Sequence, residues 1–306
     1  MPADSLQGQG VFLPRESLLT DDEIERLVRA FTCIGVHKVR LTGGEPLLRR
    51  GLVGLVRRLA GIGAIDDLAL TTNGILLPRF AGELKAAGLG RITVSLDSLD
   101  EATFARMSGG RGSAREVLDG IKAAEDAGFG AIKINTVVQQ GVNDKGILDL
   151  VGHFRGTGHV VRLIEFMDVG HSNHWTPGDV TPGATLREQI HRRWPIEPVE
   201  RQSASAPARR WRFKDGRGEV GFISSVTEPF CGQCTRARVA ADGTFYSCLF
   251  ASRGTLLRPI VRGEHDSQRL VDYLAGLWSG REDRYSEIRG QAGDADPRVE
   301  MYRMGG

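Results

Sequence analysis

The chain has 306 residues, 41% of them hydrophobic, and its 40 basic and 38 acidic side chains give a net charge of +2. This composition supports one large or two modest globular domains, and the balanced charge excludes bulk electrostatic binding of nucleic acid. Because no stretch approaches the roughly 18 apolar residues of a membrane span and the N-terminus does not resemble a signal peptide, we expect a cytoplasmic protein without a membrane partner.

Helical and strand patterns alternate from about Thr20 to Met167. Thr20 and Glu23 form a capping box that predicts the start of a first amphipathic helix. Five strands, each preceded by a helix, predict an α/β fold with a parallel sheet. The elements predicted after the first helix are the strand Lys38 to Leu41, a helix near Leu52 to Leu59, the strand Leu68 to Thr72, a helix near Phe80 to Ala87, the strand Arg91 to Leu96, the helix Ala114 to Ala127, the strand Ile132 to Val138, a helix near Asp144 to Phe154 and the strand Val160 to Phe166.

After Gly170 the composition changes to residues typical of loops. The segment His171 to Gly178 and the polar stretch Gln202 to Arg210 predict irregular structure. We therefore expect a small second lobe, and we divide the chain into residues 1–183 and 184–306. Its short strands are predicted at Trp211 to Phe213, Glu219 to Ile223, Arg236 to Val239 and Thr244 to Tyr246.

Polar residues gather at the carboxyl ends of the predicted parallel strands, which is the edge where such folds place their active sites. In the fourth strand, Lys133 and Asn135 are two residues apart and therefore share a face. A lysine on an inner sheet face is costly unless an anion pairs with it, so the pattern favours a binding site over a solvated edge. The polar segments are Thr42 to Pro46, Thr71 to Gly74, Ser95 to Ser98, and Arg162, Glu165 and Met167 of the fifth strand.

Cys231, Cys234 and Cys248 form a C-x2-C-x13-C pattern in a chain with one other cysteine, Cys33. Three thiolates without a fourth partner suit an iron–sulfur cluster that leaves one iron open for a substrate. Zinc remains an alternative, although structural zinc normally takes four protein ligands and the next candidate is His265. Disulfides are the third alternative, which the low cysteine content disfavours. We expect Cys33 to be a small core residue.

His171 and His174 could supply further metal ligands. A loop pair without a nearby third ligand is more often exposed to solvent, so we expect them to face water.

Taken in order along the whole chain, these motifs resemble the GTP 3′,8-cyclase family of radical S-adenosylmethionine enzymes. Each motif is weak alone, whereas the combination is specific. The resemblance implies an incomplete (β/α)6 TIM-like barrel over residues 1–183, without the first strand and its cysteine loop, and a C-terminal iron–sulfur and GTP-binding lobe over residues 184–306. It is carried by Thr42 to Pro46, Thr71 to Gly74, Ser95 to Ser98, Lys133 to Asn135, Ile164 to Met167, the cysteine spacing with Arg236 and Arg238, and the terminal Gly305-Gly306.

The resemblance also implies a role for individual residues. Three cysteines, Cys231, Cys234 and Cys248, would hold a [4Fe–4S] cluster whose open iron engages guanine. The terminal Gly305 and Gly306 would form a catalytic tail that reaches the site, although the sequence alone would make two terminal glycines disordered. S-adenosylmethionine would be bound by Gly43, Gly44, Glu45, Ser95 and Met167, and GTP by Arg40, Thr71, Lys133, Arg236 and Arg238.

One motif of the family is absent from the sequence. The family holds a second [4Fe–4S] cluster on a C-x3-C-x2-C loop after its first barrel strand, and Met1-Pro2 resembles the dipeptide that follows the third of those cysteines. We expect the polypeptide as printed to be inactive without that cluster, which the full-length form would carry. We favour a start-site error or a truncated polypeptide over genuine loss as the cause.

For the complete form, the resemblance implies conversion of GTP to 3′,8-cyclo-7,8-dihydro-GTP in the first step of molybdenum cofactor biosynthesis. A 5′-deoxyadenosyl radical from S-adenosylmethionine would take a hydrogen from ribose C3′. Expected partners are a flavodoxin-type or ferredoxin-type reductant and the downstream cyclic pyranopterin monophosphate synthase, and a homodimer is left open. The alternatives are a non-catalytic nucleotide-binding or cluster-binding paralogue and a zinc-stabilised hydrolase.

Overall fold

The computed structural model describes residues 13–170, 173–201, 203, 205–263, 267–289 and 298–304. Helix α1 (Asp21–Cys33) begins at the predicted capping box, where Thr20 Oγ1 accepts the Glu23 N–H at 3.2 Å and the Glu23 carboxylate accepts the Thr20 N–H at 2.7 Å. The predicted alternation of helices and strands is confirmed. The next elements are β1 (Lys38–Leu41), α2 (Leu52–Ala60), β2 (Asp67–Thr72), α3 (Leu77–Ala86), β3 (Arg91–Ser95), α4 (Glu101–Ser108), α5 (Ala114–Asp126), β4 (Lys133–Val138), α6 (Ile147–Phe154) and β5 (Val160–Glu165).

The main sheet has eight strands in the order β1-β2-β3-β4-β5-β8-β7-β6. The first six pair in parallel, and β7 and β6 then continue the sheet in antiparallel fashion. The α/β fold with a mostly parallel sheet is thus confirmed. The added elements are α7 (Gly183–Arg193), β6 (Ile196–Pro198), β7 (Arg209–Phe213) and β8 (Glu219–Ile223).

Two strands that we expected in the small lobe belong to the main sheet. Strand β8 pairs with β5, and its Val220 and Phe222 are buried in the same core as Val161 and Leu163 of β5. This burial of apolar surface favours the parallel pairing over a separate lobe. The sheet therefore continues past residue 183, and the two-domain division stays a prediction.

The two faces of the sheet differ in chemistry because successive side chains of a strand point to opposite sides. On one face, apolar residues such as Leu70, Val94, Ile134 and Leu163 pack against the helices and are at most 2% exposed. The opposite face, called the open face below, carries polar and charged positions beside apolar ones such as Ala69 and Val160. The open-face positions used below are Arg40, Asp67, Thr71, Arg91, Thr93, Ser95, Lys133, Asn135 and Arg162.

The second lobe contains a three-stranded antiparallel sheet and packs on α1. Leu27 and Ala30 of α1 lie in one buried cluster with Phe245, Leu257 and Leu270. The lobe consists of β9 (Arg238–Val239), β10 (Thr244–Tyr246), β11 (Thr255–Leu256), α8 (Arg258–Arg262), α9 (Ser267–Ser279), α10 (Tyr285–Ile288) and α11 (Met301–Met304).

Cys33 is exposed, so the expectation of a core residue was wrong. It lies at the end of α1, away from the stripe formed by Leu27, Val28 and Ala30 that the helix buries. Among the described residues, no helix combines the length and apolar character needed to cross a membrane.

Candidate active site

Three cationic side chains, Arg40, Lys133 and Arg162, come from different strands of the open face. Arg40 Nη1 donates hydrogen bonds to Thr71 Oγ1 at 2.8 Å and to Thr93 Oγ1 at 3.0 Å. In the strand register Thr93 is paired with Lys133, and Asn135 is paired with Arg162. The parallel register therefore brings cations from β1, β4 and β5 onto one surface.

Mutual repulsion and partial burial disfavour the charged forms of these groups. Burial, followed by the neighbouring Arg162, Arg91 and Arg40, lowers the pKa of Lys133 to about 8. Burial, followed by Arg40 and Arg91, lowers the pKa of Arg162 to about 10, and burial together with Arg91 also lowers that of Arg40. An anionic ligand would relieve this repulsion, so the surface is suited to binding one.

Acidic side chains do little to balance these cations. Among the open-face positions of β1 to β5, all of which the structure describes, Asp67 alone is acidic. Its Oδ1 accepts a hydrogen bond from Arg91 Nε at 2.7 Å. Because Asp67 already pairs with Arg91, the open face keeps an excess of positive charge.

The turn after β1 is held against the end of β2 by one carboxylate. Glu45 Oε1 accepts the Leu47 N–H at 3.0 Å and the Thr72 hydroxyl at 2.7 Å, and Glu45 Oε2 accepts the Asn73 N–H at 2.8 Å. Gly43 has a φ of +151°, and a Cβ on Gly43 or Gly44 would meet no atom within 4 Å. The turn is therefore fixed in place, with open space beside its backbone into which a ligand can fit.

Ser95 ends β3 and Met167 follows β5, so both lie at the carboxyl edge of the sheet, with β4 between their strands. Ser95 is exposed and pairs in register with Asn135, whose Oδ1 is buried without a hydrogen-bond partner. The Met167 carbonyl accepts a hydrogen bond from Asn173 Nδ2 at 2.9 Å. A free hydroxyl and an unsatisfied amide oxygen at one edge are features of a ligand site.

The three clustered cysteines occupy the second lobe as free, half-buried thiols. Cys231 begins a single 3₁₀ turn that runs to Gln233, and Cys248 follows β10. Burial opposes ionisation of Cys234, but Arg236 and Arg281 outweigh it and lower the pKa of this thiol. Burial raises the pKa of Cys248.

The chemistry of this donor set suits an iron–sulfur cluster. Three thiols lie in a lobe that also carries the guanidinium groups of Arg236, Arg238 and Arg281, and cationic surroundings favour thiolates. Burial followed by Arg236 lowers the pKa of Arg238 to about 10. In the part of the chain that the structure describes, no three Cys, His, Asp or Glu side chains are close enough to hold a single metal ion. Thiolates that bind different irons of one cluster need not converge on one point.

Some predicted residues have other roles or lie outside the described part. Glu165 points away from the open face, is 1% exposed, and accepts N–H groups from Gly183, Val226 and Thr227 at 2.8 to 2.9 Å. His174 is exposed, as expected. His171, His265, Gly305 and Gly306 lie outside the described residues.

Sequence reasoning did not assign three residues of this region to a ligand. Arg162 was noted at the strand end but not assigned to a ligand. Because it lies two residues from both Val160 and Ile164, it shares their face of the strand, and this periodicity could have indicated the open face. Thr93 and Arg281 became apparent only through strand register and tertiary contacts.

Two family models match the chain. The model described as "Radical SAM superfamily" covers residues 8–153, and "Molybdenum Cofactor Synthesis C" covers residues 159–287. The boundary between them lies just before β5 and thus differs from the predicted division at residue 183.

Curated relatives match nearly the full chain. The "GTP 3′,8-cyclase" of Xanthomonas campestris pv. campestris strain B100 is 54% identical over 307 aligned residues, which cover 100% of this chain and 89% of the relative. The protein of the same name from Acidothermus cellulolyticus is 48% identical and covers 97% of this chain and 84% of the relative. Among solved structures, a radical SAM methyltransferase from Sphaerobacter thermophilus matches with a TM-score of 0.44 and 18% identity, covering 68% of this chain and 57% of the other.

Proposed function

The chain belongs to the GTP 3′,8-cyclase family of radical S-adenosylmethionine proteins, and we propose that it performs that family's reaction. GTP is converted to 3′,8-cyclo-7,8-dihydro-GTP, which is the first step of molybdenum cofactor biosynthesis. The observation that carries the proposal at the site is the convergence of Arg40, Lys133 and Arg162 on an open face where Asp67, its one acidic position in β1 to β5, already pairs with Arg91.

The triphosphate of GTP binds to this cationic face. Guanidinium and ammonium groups are the usual partners of phosphate oxygens, and three of them on one surface suit a polyanion. Thr71 and Thr93 orient Arg40 before the ligand arrives, because both hydroxyls accept hydrogen bonds from its Nη1. Arg236 and Arg238 of the second lobe bind GTP from the opposite end, where they also face the cysteines.

S-adenosylmethionine binds at the carboxyl edge of the sheet. The open space beside Gly43 and Gly44 admits the methionyl group close to the backbone. The Glu45 carboxylate holds the turn and presents negative charge toward the methionyl ammonium. Ser95 at the end of β3 and Met167 after β5 complete the set of S-adenosylmethionine contacts.

Cys231, Cys234 and Cys248 hold one [4Fe–4S] cluster in the second lobe. Together with S-adenosylmethionine and its own cluster, such a centre supplies the redox and radical chemistry of the family when bound. The chain's own residues bind GTP between the open face and the cysteines and keep both ends in fixed positions. The Gly305-Gly306 tail is proposed to reach the same site.

The remaining partners follow from this chemistry. A low-potential reductant of the flavodoxin or ferredoxin type supplies electrons, and cyclic pyranopterin monophosphate synthase consumes the product. A reducing cytoplasm suits the free thiols. A homodimer is compatible with these roles, and the division into a barrel of residues 1–183 and a lobe of residues 184–306 is retained as a proposal.

The test is an anaerobic assay for 5′-deoxyadenosine and the cyclised nucleotide. A segment carrying the C-x3-C-x2-C motif of the family is joined ahead of this chain, and the protein is reconstituted with iron and sulfide. Formation of both products from GTP and S-adenosylmethionine supports the proposal. A colourless, zinc-containing protein without cyclised product would refute it and favour the hydrolase alternative, whereas a brown protein that binds GTP without turnover would indicate a paralogue.

A further inference from the structure

One short segment, Arg281 to Arg289, contacts both the cysteine region and the end of β5. It follows α9, includes α10, and has hydrogen bonds or ring contacts in two directions. The brace, as we call this segment below, is not part of the GTP or S-adenosylmethionine sites described above.

At its sheet end, the brace is tied to Asp168, the residue directly after Met167. Asp168 is 6% exposed. Its Oδ2 accepts the Tyr285 hydroxyl at 2.5 Å, and its Oδ1 accepts Arg289 Nε at 3.0 Å. Arg298 Nη1 also donates to Asp168 Oδ2 at 2.8 Å. A buried carboxylate with three such donors fixes the geometry of its partners, and removing its charge leaves buried cations unpaired.

At its other end, the brace supports the loop between Cys231 and Cys234. Glu287 Oε1 accepts the Gly232 N–H at 3.0 Å, and Arg281 Nη1 donates to the Cys234 carbonyl at 2.5 Å. These bonds act on the backbone on either side of the cysteine side chains. They therefore restrain the backbone that carries the two sulfur atoms.

The third cysteine is supported through an aromatic contact. Phe250 donates its N–H to Cys248 Sγ at 3.4 Å. The Phe250 ring lies 4.8 Å from the Tyr285 ring between centroids, and the Arg289 guanidinium lies 5.2 Å from the Phe250 centroid. Cation–π and ring contacts of this kind restrain both partners.

We propose that the brace sets the position of the three cysteines relative to the open face, with Asp168 and Glu287 as positioning residues. This rests on the proposed function, because the ligand whose binding requires that spacing is GTP. GTP meets the cationic face at its triphosphate and the cysteine lobe at its guanine. Holding two half-sites at a fixed separation makes the second contact intramolecular and raises the overall affinity.

A loosened brace therefore has a specific signature. Ligands that contact both half-sites bind more weakly, whereas ligands that contact the open face alone are unaffected. Inorganic tripolyphosphate carries the charge of the GTP triphosphate without the nucleoside, so it probes the open face alone. A general loss of structure would weaken both ligands.

The experiment measures GTP and tripolyphosphate affinity by calorimetry on the anaerobically reconstituted 306-residue chain. Asp168→Asn and Glu287→Gln are each expected to weaken GTP by about tenfold or more and to leave tripolyphosphate within about twofold. Glu287 is 24% exposed, so Glu287→Gln decides the question should Asp168→Asn fail to fold. The matched control is Glu197→Gln on β6, where Glu197 likewise accepts a hydrogen bond from an arginine, Arg212, at 2.6 Å; it should change neither affinity.

Each remaining outcome contradicts the proposed role of the brace. Unchanged GTP affinity in folded variants would overturn it while leaving the proposed function intact. Equal losses for GTP and tripolyphosphate would assign Asp168 and Glu287 a merely structural role. Absence of GTP binding by the unmodified protein would overturn the proposed function and the brace with it.

Discussion

Arg40 Nη1 on β1 donates a hydrogen bond to Thr71 Oγ1 on β2 at 2.8 Å. Both residues were assigned to GTP from the sequence, and the structure joins them before any ligand binds. The contact orients the guanidinium, so less conformational entropy is lost when a phosphate engages it. Thr71 thus contributes to GTP binding through Arg40, even if it never contacts the nucleotide.

Thr71→Val should therefore weaken GTP binding by less than Arg40→Ala does. Removing one hydrogen-bond acceptor costs about 0.5–1.5 kcal/mol, or a few-fold to about tenfold in affinity, because Thr93 still accepts from Arg40. Loss of the guanidinium removes a charge-assisted contact worth roughly 1.5–3 kcal/mol. Calorimetry on both variants checks the ranking, and an equal effect would mean that Thr71 binds GTP directly.

GTP affinity should depend on pH through Lys133, whose pKa is lowered to about 8 by burial and three nearby arginines. The protonated amine binds the triphosphate, so affinity falls as pH rises through 8, at most about tenfold per unit. In Lys133→Arg the charge persists, and the fall should disappear. Calorimetric titrations from about pH 7 to 9 test this, and an identical fall in the variant would point to another group.

Glu165 should contribute to the free energy of unfolding and not to ligand binding. Its buried carboxylate ties β5 to the start of α7 and to the loop after β8. Glu165→Gln places an amide opposite N–H donors, which should lower the free energy of unfolding by roughly 1–3 kcal/mol. Urea denaturation measures this, with the exposed Glu188→Gln on α7 as control. Weaker tripolyphosphate binding in a folded Glu165→Gln protein would show that the residue belongs to the site.

The printed chain should hold one cluster after anaerobic reconstitution, with about four irons per polypeptide, because three cysteines share one lobe and Cys33 lies apart. Cys234→Ser should abolish the absorption near 400 nm, whereas Cys33→Ser should leave it unchanged. Iron analysis measures the number of clusters, and the visible spectrum of each variant shows which cysteines bind them. About eight irons per chain would contradict the assignment.

Local patterns predicted most of the parallel part of the main sheet. The capping box at Thr20 and the two-residue periodicity of β4 depend on neighbours in the sequence, and both were confirmed. The pairing of β8 with β5 was missed because it joins strands more than fifty residues apart, and a short apolar strand fits either sheet.

The sequence likewise predicted only part of the candidate site. Residues in recognisable motifs, such as Glu45 and Cys231, could be named from the sequence. The bracing contacts of Asp168 and Glu287 could not, because a carboxylate in a loop or short helix carries no local signal of the partner it meets 50 to 130 residues away. Arg162 lies between these cases, since its strand position indicated the open face but not its cationic neighbours.

The central claim is that GTP contacts the open face and the cysteine lobe together, and calorimetric titration of GTP into Lys133→Ala and Arg236→Ala tests it most directly. Each variant removes a charge-assisted contact from one half-site, so each should bind GTP some ten- to hundredfold more weakly than the unmodified protein. Lys122→Ala, on the outer surface of α5, is the control and should bind normally. Unchanged GTP affinity in both Lys133→Ala and Arg236→Ala would contradict the account.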